Sequence, residues 1–161
     1  MDTPLTAAEH FRRGEAALAA ADAGSALEHF RSAHRLEPAD PRHRSYFGLC
    51  LGLAERRFDR ALELCRGAAK EEFFNPVLYH NLARVHLAFG FKAEGIRFLR
   101  RGLMIDPHNE AIGELLKQLG VRCPSVLGFL RRRHVLNRWL GQLRRRRETG
   151  GRSARSANAA S

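Results

Sequence analysis

The stretch AAEHFRRGEAALAAADAGSALEHFRSAHRLEPAD, residues 7–40, predicts two helices folded against each other. Small residues occupy the positions where the two helix backbones would touch, namely Gly14, Ala26 and Ala33. Pro38 ends the unit, and its large apolar residues lie about one helical turn from the small ones: Phe11, Leu18, Leu27, Phe30 and Leu36. Gly and Ala let helices approach closely while large side chains fill the grooves beside them, so the pattern indicates a helical hairpin.

The same layout returns twice more along the chain, at a period of about 34 residues. The second unit is 41–75, with one extra residue between its helices, and the third unit is 76–109. The matching positions are Phe47, Gly48, Leu51, Ala61, Cys65 and Ala68 in the second unit and Tyr79, Leu82, Ala83, Gly95, Leu99, Gly102 and Pro107 in the third. A generic helical bundle needs no fixed period, so the spacing favours stacked repeats.

This spacing resembles the tetratricopeptide repeat, a helix–turn–helix unit. In the first unit the family positions are held by Gly14, Ala26, Phe30, Ala33 and Pro38, whereas His10 and Ala17 replace the usual Trp and Tyr. The resemblance implies an all-α solenoid over 7–120, made of three repeats and a capping helix at 107–119. It also implies a non-catalytic interaction module, such as an adaptor, scaffold or co-chaperone.

Local signals place the ends of the helices. Thr6 and Glu9 form a capping box before the first helix, and its partner is predicted at 25–36. Asp59 is the predicted cap of the fourth helix, and Pro107 the predicted start of the last one.

The positive charge lies in the C-terminal part of the chain. The formal net charge is +11, and residues 122–161 contain 11 Arg against one Glu. Two apolar clusters at helical spacing run through 121–147, which predicts a basic amphipathic helical extension. Residues 148–161 are small and polar, which predicts a disordered tail. The residues of interest in the extension are Arg131, Arg132, Arg133, Arg138, Trp139, Arg144, Arg145, Arg146 and Arg147.

Four roles are open for this extension. It can dock on the repeats with its Arg side chains in solvent, or lie on an anionic membrane surface with Trp139 inserted. It can also contact the backbone of a nucleic acid without sequence preference, or bind an acidic protein. Either surface role would make the protein a peripheral membrane- or nucleic-acid-associated one.

Nothing in the sequence favours an enzyme, and we expect no catalytic, cofactor or metal residues. No nucleotide loop, HExxH or CxxC motif occurs. His29 and His34, like His80 and His86, miss the spacing of three or four residues that would place two ligands on one helix face. Three cysteines are too few for a disulfide framework, and we expect a cytoplasmic protein.

In the tetratricopeptide family the first helix of each repeat lines an inner groove, which implies a peptide or partner helix as ligand. Carried over to this chain, the lining residues are Phe11, Glu15, Leu18, Ser45, Leu49, His80, Arg84 and Leu87. Some members bind acidic chaperone C-termini through a clamp of Lys, Asn and Arg. The matching places here hold Phe11, Glu15, Tyr46, Val77 and Asn81. Since none of these is basic, the sequence speaks against that specific clamp.

Overall fold

A computed structural model describes residues 5–121, and this part of the chain consists of helices joined by short turns. The helices are α1 (Ala7–Ala19), α2 (Ala23–Leu36), α3 (Pro41–Ala54), α4 (Phe58–Glu71), α5 (Pro76–Ala88), α6 (Lys92–Ile105) and α7 (Glu110–Gln118). The hairpins α1/α2, α3/α4 and α5/α6 follow the three predicted units, and the all-α prediction is confirmed. The tail 148–161 and all but the first residue of the extension 121–147 lie outside the described residues.

Side-chain caps set most helix starts. Thr6 and Glu9 form the predicted capping box, with the Glu9 backbone N–H donating to Thr6 Oγ1 at 3.3 Å. The Asn75 side chain accepts from the Val77 backbone N–H at 3.1 Å, and Pro76 takes the first helical position, where its missing N–H costs nothing. The turn before α3 repeats this device, with Asp40 as the cap and Pro41 behind it.

Three predicted boundaries are corrected by the structure. The cap of α4 is Arg57, which makes no side-chain capping bond, and Asp59 lies within the first turn. Helix α7 begins at Glu110 and not at Pro107, because the Asn109 side chain caps it by accepting from the Ile112 N–H at 3.2 Å. Helix α2 begins two residues earlier than predicted, at Ala23.

The helices of each hairpin approach closely at their small residues. A Cβ atom added to Gly14 would lie 2.8 Å from two ring carbons of Phe30. A Cβ on Gly48 would lie 2.9 Å from Leu64 Cβ and 3.1 Å from the Ala61 carbonyl oxygen. The contact positions read from the repeat spacing are therefore confirmed as sites of backbone approach.

The hydrophobic core runs through the stack of hairpins and ends under α7. No more than 2% of the surface is exposed at each of four core residues, Phe30, Leu49, Leu82 and Leu99. The apolar face of α7 is buried through Ile112 and Leu116. No helix in the described part of the chain is long and apolar enough to cross a membrane.

Ala61→Leu should destabilise the second hairpin. Ala61 has no exposed surface, and a Cβ built on Gly52 would lie only 3.1 Å from the Ala61 Cβ. A larger side chain there overpacks the α3/α4 contact, at a cost of about 1–3 kcal/mol in the free energy of unfolding. Urea denaturation measures it, with Ala93→Leu on the exposed side of α6 as the matched control. Equal stability of the two variants would contradict the tight contact.

Candidate functional site

A groove of about 460 Å³ runs along the first helices of the hairpins. Helix α1 contributes Glu15 and Leu18, and α5 contributes His80 and Arg84. The remaining lining residues are Ala19, Tyr46, Val77, Asn81, Asn109 and Ala111. The groove is therefore built by successive hairpins together, and no single hairpin contains it.

Four of the eight predicted lining residues lie in this groove: Glu15, Leu18, His80 and Arg84. Glu15 is exposed, and the other three are half-buried. Their side chains come from α1 and α5, and α3 contributes Tyr46 to the lining. Leu87 is also half-buried, but it packs on α6, where a Cβ on Gly95 would lie 2.7 Å from Leu87 Cγ.

Phe11, Ser45 and Leu49 are buried, which corrects their expected place on an open groove wall. The Phe11 ring packs edge-on against Tyr46, with ring centroids 5.0 Å apart. Ser45 accepts hydrogen bonds at its carbonyl oxygen from the Cys65 thiol and at its hydroxyl from the Asn81 amide. Since α3 packs against α2, α4 and α5, more of its circumference is covered than that of a terminal helix.

The sequence singles out Tyr46, Val77 and Asn81 only as positions of the chaperone clamp, and the structure places all three in the groove. Asn109 and Ala111 are missed by the repeat pattern because they belong to the start of α7. The capping signal at Asn109 marks the helix start but does not indicate that it reaches the groove.

Arg84 places a partly desolvated positive charge in the groove. Its burial lowers the pKa of the guanidinium from its ordinary value. Within residues 5–121, no carboxylate oxygen lies within 4.0 Å of a nitrogen of Arg84. Arg44, which is also partly buried, is paired with Glu71 at 2.6 Å, whereas the other arginines without a carboxylate partner in this range are less buried than Arg84. A partly desolvated cation without a nearby anion is costly, and an incoming anion would lower that cost.

Asn81 supplies a second group with spare bonding capacity. Its side chain is almost wholly buried, at 1% exposure, and its Nδ2 donates to Ser45 Oγ at 3.3 Å. Its Oδ1 has no hydrogen-bond partner in the described part of the chain. A buried acceptor left unsatisfied costs about 1–3 kcal/mol. The groove therefore offers a cation to a ligand, whereas this amide oxygen is unsatisfied but enclosed.

His80 is neutral at pH 7. Burial, together with the nearby positive charge of Arg84, lowers its pKa from 6.5 to about 4. The neutral ring adds no charge beside Arg84, so the guanidinium is the groove's cation on the α5 side.

His80→Gln should reduce the loss of folding stability that the protein shows as the pH falls from 7 to 4. The unfolded chain takes up a proton near pH 6.5, whereas folded His80 does so only near pH 4. Acid therefore favours the unfolded chain, and stability falls as the pH drops between these values. The effect is at most roughly 3 kcal/mol, at about 1.4 kcal/mol for each pH unit. Melting temperatures from pH 7 to pH 4 measure it, and an unchanged slope in the variant would refute the buried neutral ring.

Comparison with known proteins identifies the fold of the chain through solved structures, and it identifies no family. No family model matches the sequence, and no curated protein matches it. Among solved structures, YrrB, described as a TPR protein with an unusual peptide-binding site, is 18% identical with a TM-score of 0.56, over 71% of this chain and 58% of that one. The described chain thus spans little more than half of YrrB.

Two further structures match at similar levels. The first TPR domain of human RPAP3 is 15% identical with a TM-score of 0.57, over 71% of this chain and 90% of that one. The first TPR of Spaghetti, bound to the HSP90 peptide SRMEEVD, is 15% identical with a TM-score of 0.56, over 71% and 93%. The chain therefore has the fold of tetratricopeptide repeat proteins, as its spacing predicts.

Proposed function

We propose that this protein is an adaptor that binds a peptide segment of a protein partner in the groove between α1 and α5. The observation that supports this most is the half-buried Arg84 guanidinium, which has no carboxylate oxygen within 4.0 Å among residues 5–121, with Glu15 on the α1 side of the groove. The ligand we propose carries a carboxylate that pairs with Arg84. Roles as a scaffold or co-chaperone, and a cytoplasmic location, belong to the same proposal.

The surroundings of Arg84 favour a carboxylate over an apolar anchor. A carboxylate can accept two parallel N–H bonds from the guanidinium, and such charge-assisted pairs are roughly twice as strong as neutral ones. The partly desolvated site strengthens the attraction further, since the effective dielectric is below that of water. Because neutral His80 adjoins Arg84, a single negative charge balances this part of the groove.

Glu15 restricts the ligand further. Glu15, on the α1 side of the groove, repels a carboxylate and favours a neutral or basic residue. The proposed peptide therefore has its acidic residue over α5, and this polarity fixes the direction in which it lies.

The fold is compatible with such a ligand. A TPR domain of the same fold, that of Spaghetti, is bound to the peptide SRMEEVD, which contains three acidic residues. The clamp positions in the present chain are not basic, so the cation we propose, Arg84, stands at a different place on the third repeat.

Selection from a displayed library of random peptides tests the proposal on the full chain. One library has free C-termini and a second has internal peptides, so a terminal carboxylate can be told from an Asp or Glu side chain. We expect enriched sequences to share an acidic position, and Arg84→Met protein should lose that enrichment. Arg100→Met, on the exposed side of α6, is the matched control.

The outcomes separate the two parts of the proposal. Enriched peptides that share no acidic position, and bind Arg84→Met as well as wild type, would leave a peptide-binding groove but remove its carboxylate preference. A failure of both libraries to enrich any sequence would overturn peptide binding itself.

The basic extension supports a second candidate function, which rests on its share of the charge: 11 Arg against one Glu in residues 122–161. Binding to an anionic membrane or to a nucleic acid predicts an affinity that falls steeply with salt. Replacing Arg144, Arg145, Arg146 and Arg147 with Gln in the full chain should weaken binding to anionic vesicles or to RNA. Binding of either that persists at high salt would count against this function.

A further inference from the structure

We propose that Glu37, Asp40 and His43 bind a divalent cation, Zn²⁺, at the junction of the first two hairpins. Glu37 is the C-cap of α2, Asp40 the N-cap of α3, and His43 lies in the first turn of α3. One ligand atom from each of the three lies within 4.8 Å of the others. This site is separate from the groove and does not depend on its function.

A single zinc ion takes one ring nitrogen of His43, and the buried Nδ1 lies 3.6 Å from Glu37 Oε2. Asp40 Oδ2 lies 3.8 Å from the other ring nitrogen, Nε2, so the Asp40 carboxylate also has to turn for all three residues to bind one ion. Ligand atoms around a tetrahedral zinc are roughly 3.3–3.5 Å apart. Glu37 is exposed, so its side chain can turn toward the imidazole without disturbing the core.

His43 is the buried ligand of the proposed site. Its side chain is only 8% exposed, and its Nδ1 has no hydrogen-bond partner among the described residues. The ring is held beside Phe11, with ring centroids 5.1 Å apart. A buried imidazole nitrogen without a partner, facing a carboxylate, is a feature that a bound cation would explain, since ion coordination satisfies it.

Asp40 can serve the helix and the cation together. Its Oδ1 accepts backbone N–H bonds from Arg42 at 2.7 Å and from His43 at 3.3 Å, which leaves Oδ2 for the cation. The positive end of the α3 dipole opposes a bound cation, and two carboxylates offset that opposition. Imidazole nitrogens and carboxylate oxygens both ligate zinc, and three protein ligands leave a fourth position for water.

A bound cation would join α2 to α3. Neighbouring repeats in a solenoid are held mainly by their mutual interface, so a bridge at the junction stiffens the first two hairpins relative to each other. Ligand binding to the folded chain also raises its melting temperature.

The test uses tag-free, chelator-treated full-length protein, titrated with zinc chloride by calorimetry and followed by thermal melting. All proteins carry His29→Gln, because His10 Nδ1 and His29 Nδ1 are 3.2 Å apart and form another imidazole pair that can take a metal. Against this background, Glu37→Gln and Asp40→Asn remove one carboxylate each. Asn caps a helix as well as Asp does, so the second variant keeps α3 intact. Glu28→Gln, exposed on α2, is the control.

We expect the background protein and Glu28→Gln to bind zinc and to melt a few degrees higher in its presence. Glu37→Gln and Asp40→Asn should each weaken zinc binding at least about tenfold and lose most of that rise. Equal zinc affinity in both carboxylate variants and the control would overturn the proposal, as would the absence of zinc binding to the background protein.

Discussion

Phe30→Ala should lower the free energy of unfolding by about 3–5 kcal/mol, the usual cost of deleting a buried ring. Phe30 has no exposed surface. Its ring centroid lies 5.3 Å from that of Phe11 and 4.9 Å from that of Tyr46, so it joins the first hairpin to the second. A domain is stabilised by only about 5–15 kcal/mol in total, so the loss is a large share of it.

Urea denaturation followed by circular dichroism measures this loss. Phe74→Ala is the matched control, because Phe74 is 74% exposed and its removal should change stability by less than about 0.5 kcal/mol. Near-equal stability of the two variants would mean that the first hairpin does not pack on the second as described.

Arg84→Met should act in opposite directions on stability and on binding. Met keeps the apolar stem but removes a partly desolvated cation, so the free protein should gain about 1 kcal/mol in the free energy of unfolding. The same change should weaken an acidic peptide at least about 30-fold, which corresponds to roughly 2 kcal/mol. A residue that serves only packing would not combine a more stable protein with a weaker complex.

Melting temperature and calorimetric affinity check the two halves on the same samples. Arg100→Met on exposed α6 should change neither quantity appreciably. If Arg84→Met lowered the melting temperature by several degrees, Arg84 would be a structural residue and its proposed role as an unpaired cation would fail.

The hairpins could be predicted from the sequence because their contacts are local. Ala26, Phe30 and Ala33 are fully buried, as the repeat positions imply. These positions depend only on how two neighbouring helices approach, and small residues at fixed spacing report that directly. The predicted cap of α4 was wrong because Asp59, a residue type that often caps helices, lies two residues after the actual cap, and sequence patterns place helix ends only to within one or two residues.

The groove could be predicted only in part. Ser45 and Leu49 lie on the face of α3 that the neighbouring hairpins cover, and this face is decided by how the hairpins stack. The spacing within one repeat carries no information on that rotation. The burial of Arg84 likewise depends on side chains from several helices, so the residue could be predicted from the sequence but the desolvation of its guanidinium could not.

A double-mutant cycle measures the central contact most directly. An enriched acidic peptide and its copy with the carboxylate replaced by the amide are each titrated into wild-type protein and into Arg84→Met. If the carboxylate pairs with Arg84, the two changes should be strongly non-additive, with a coupling energy of at least about 1.5 kcal/mol. A coupling energy near zero would show that the acidic residue and Arg84 do not meet, and the proposed mode of binding would be contradicted.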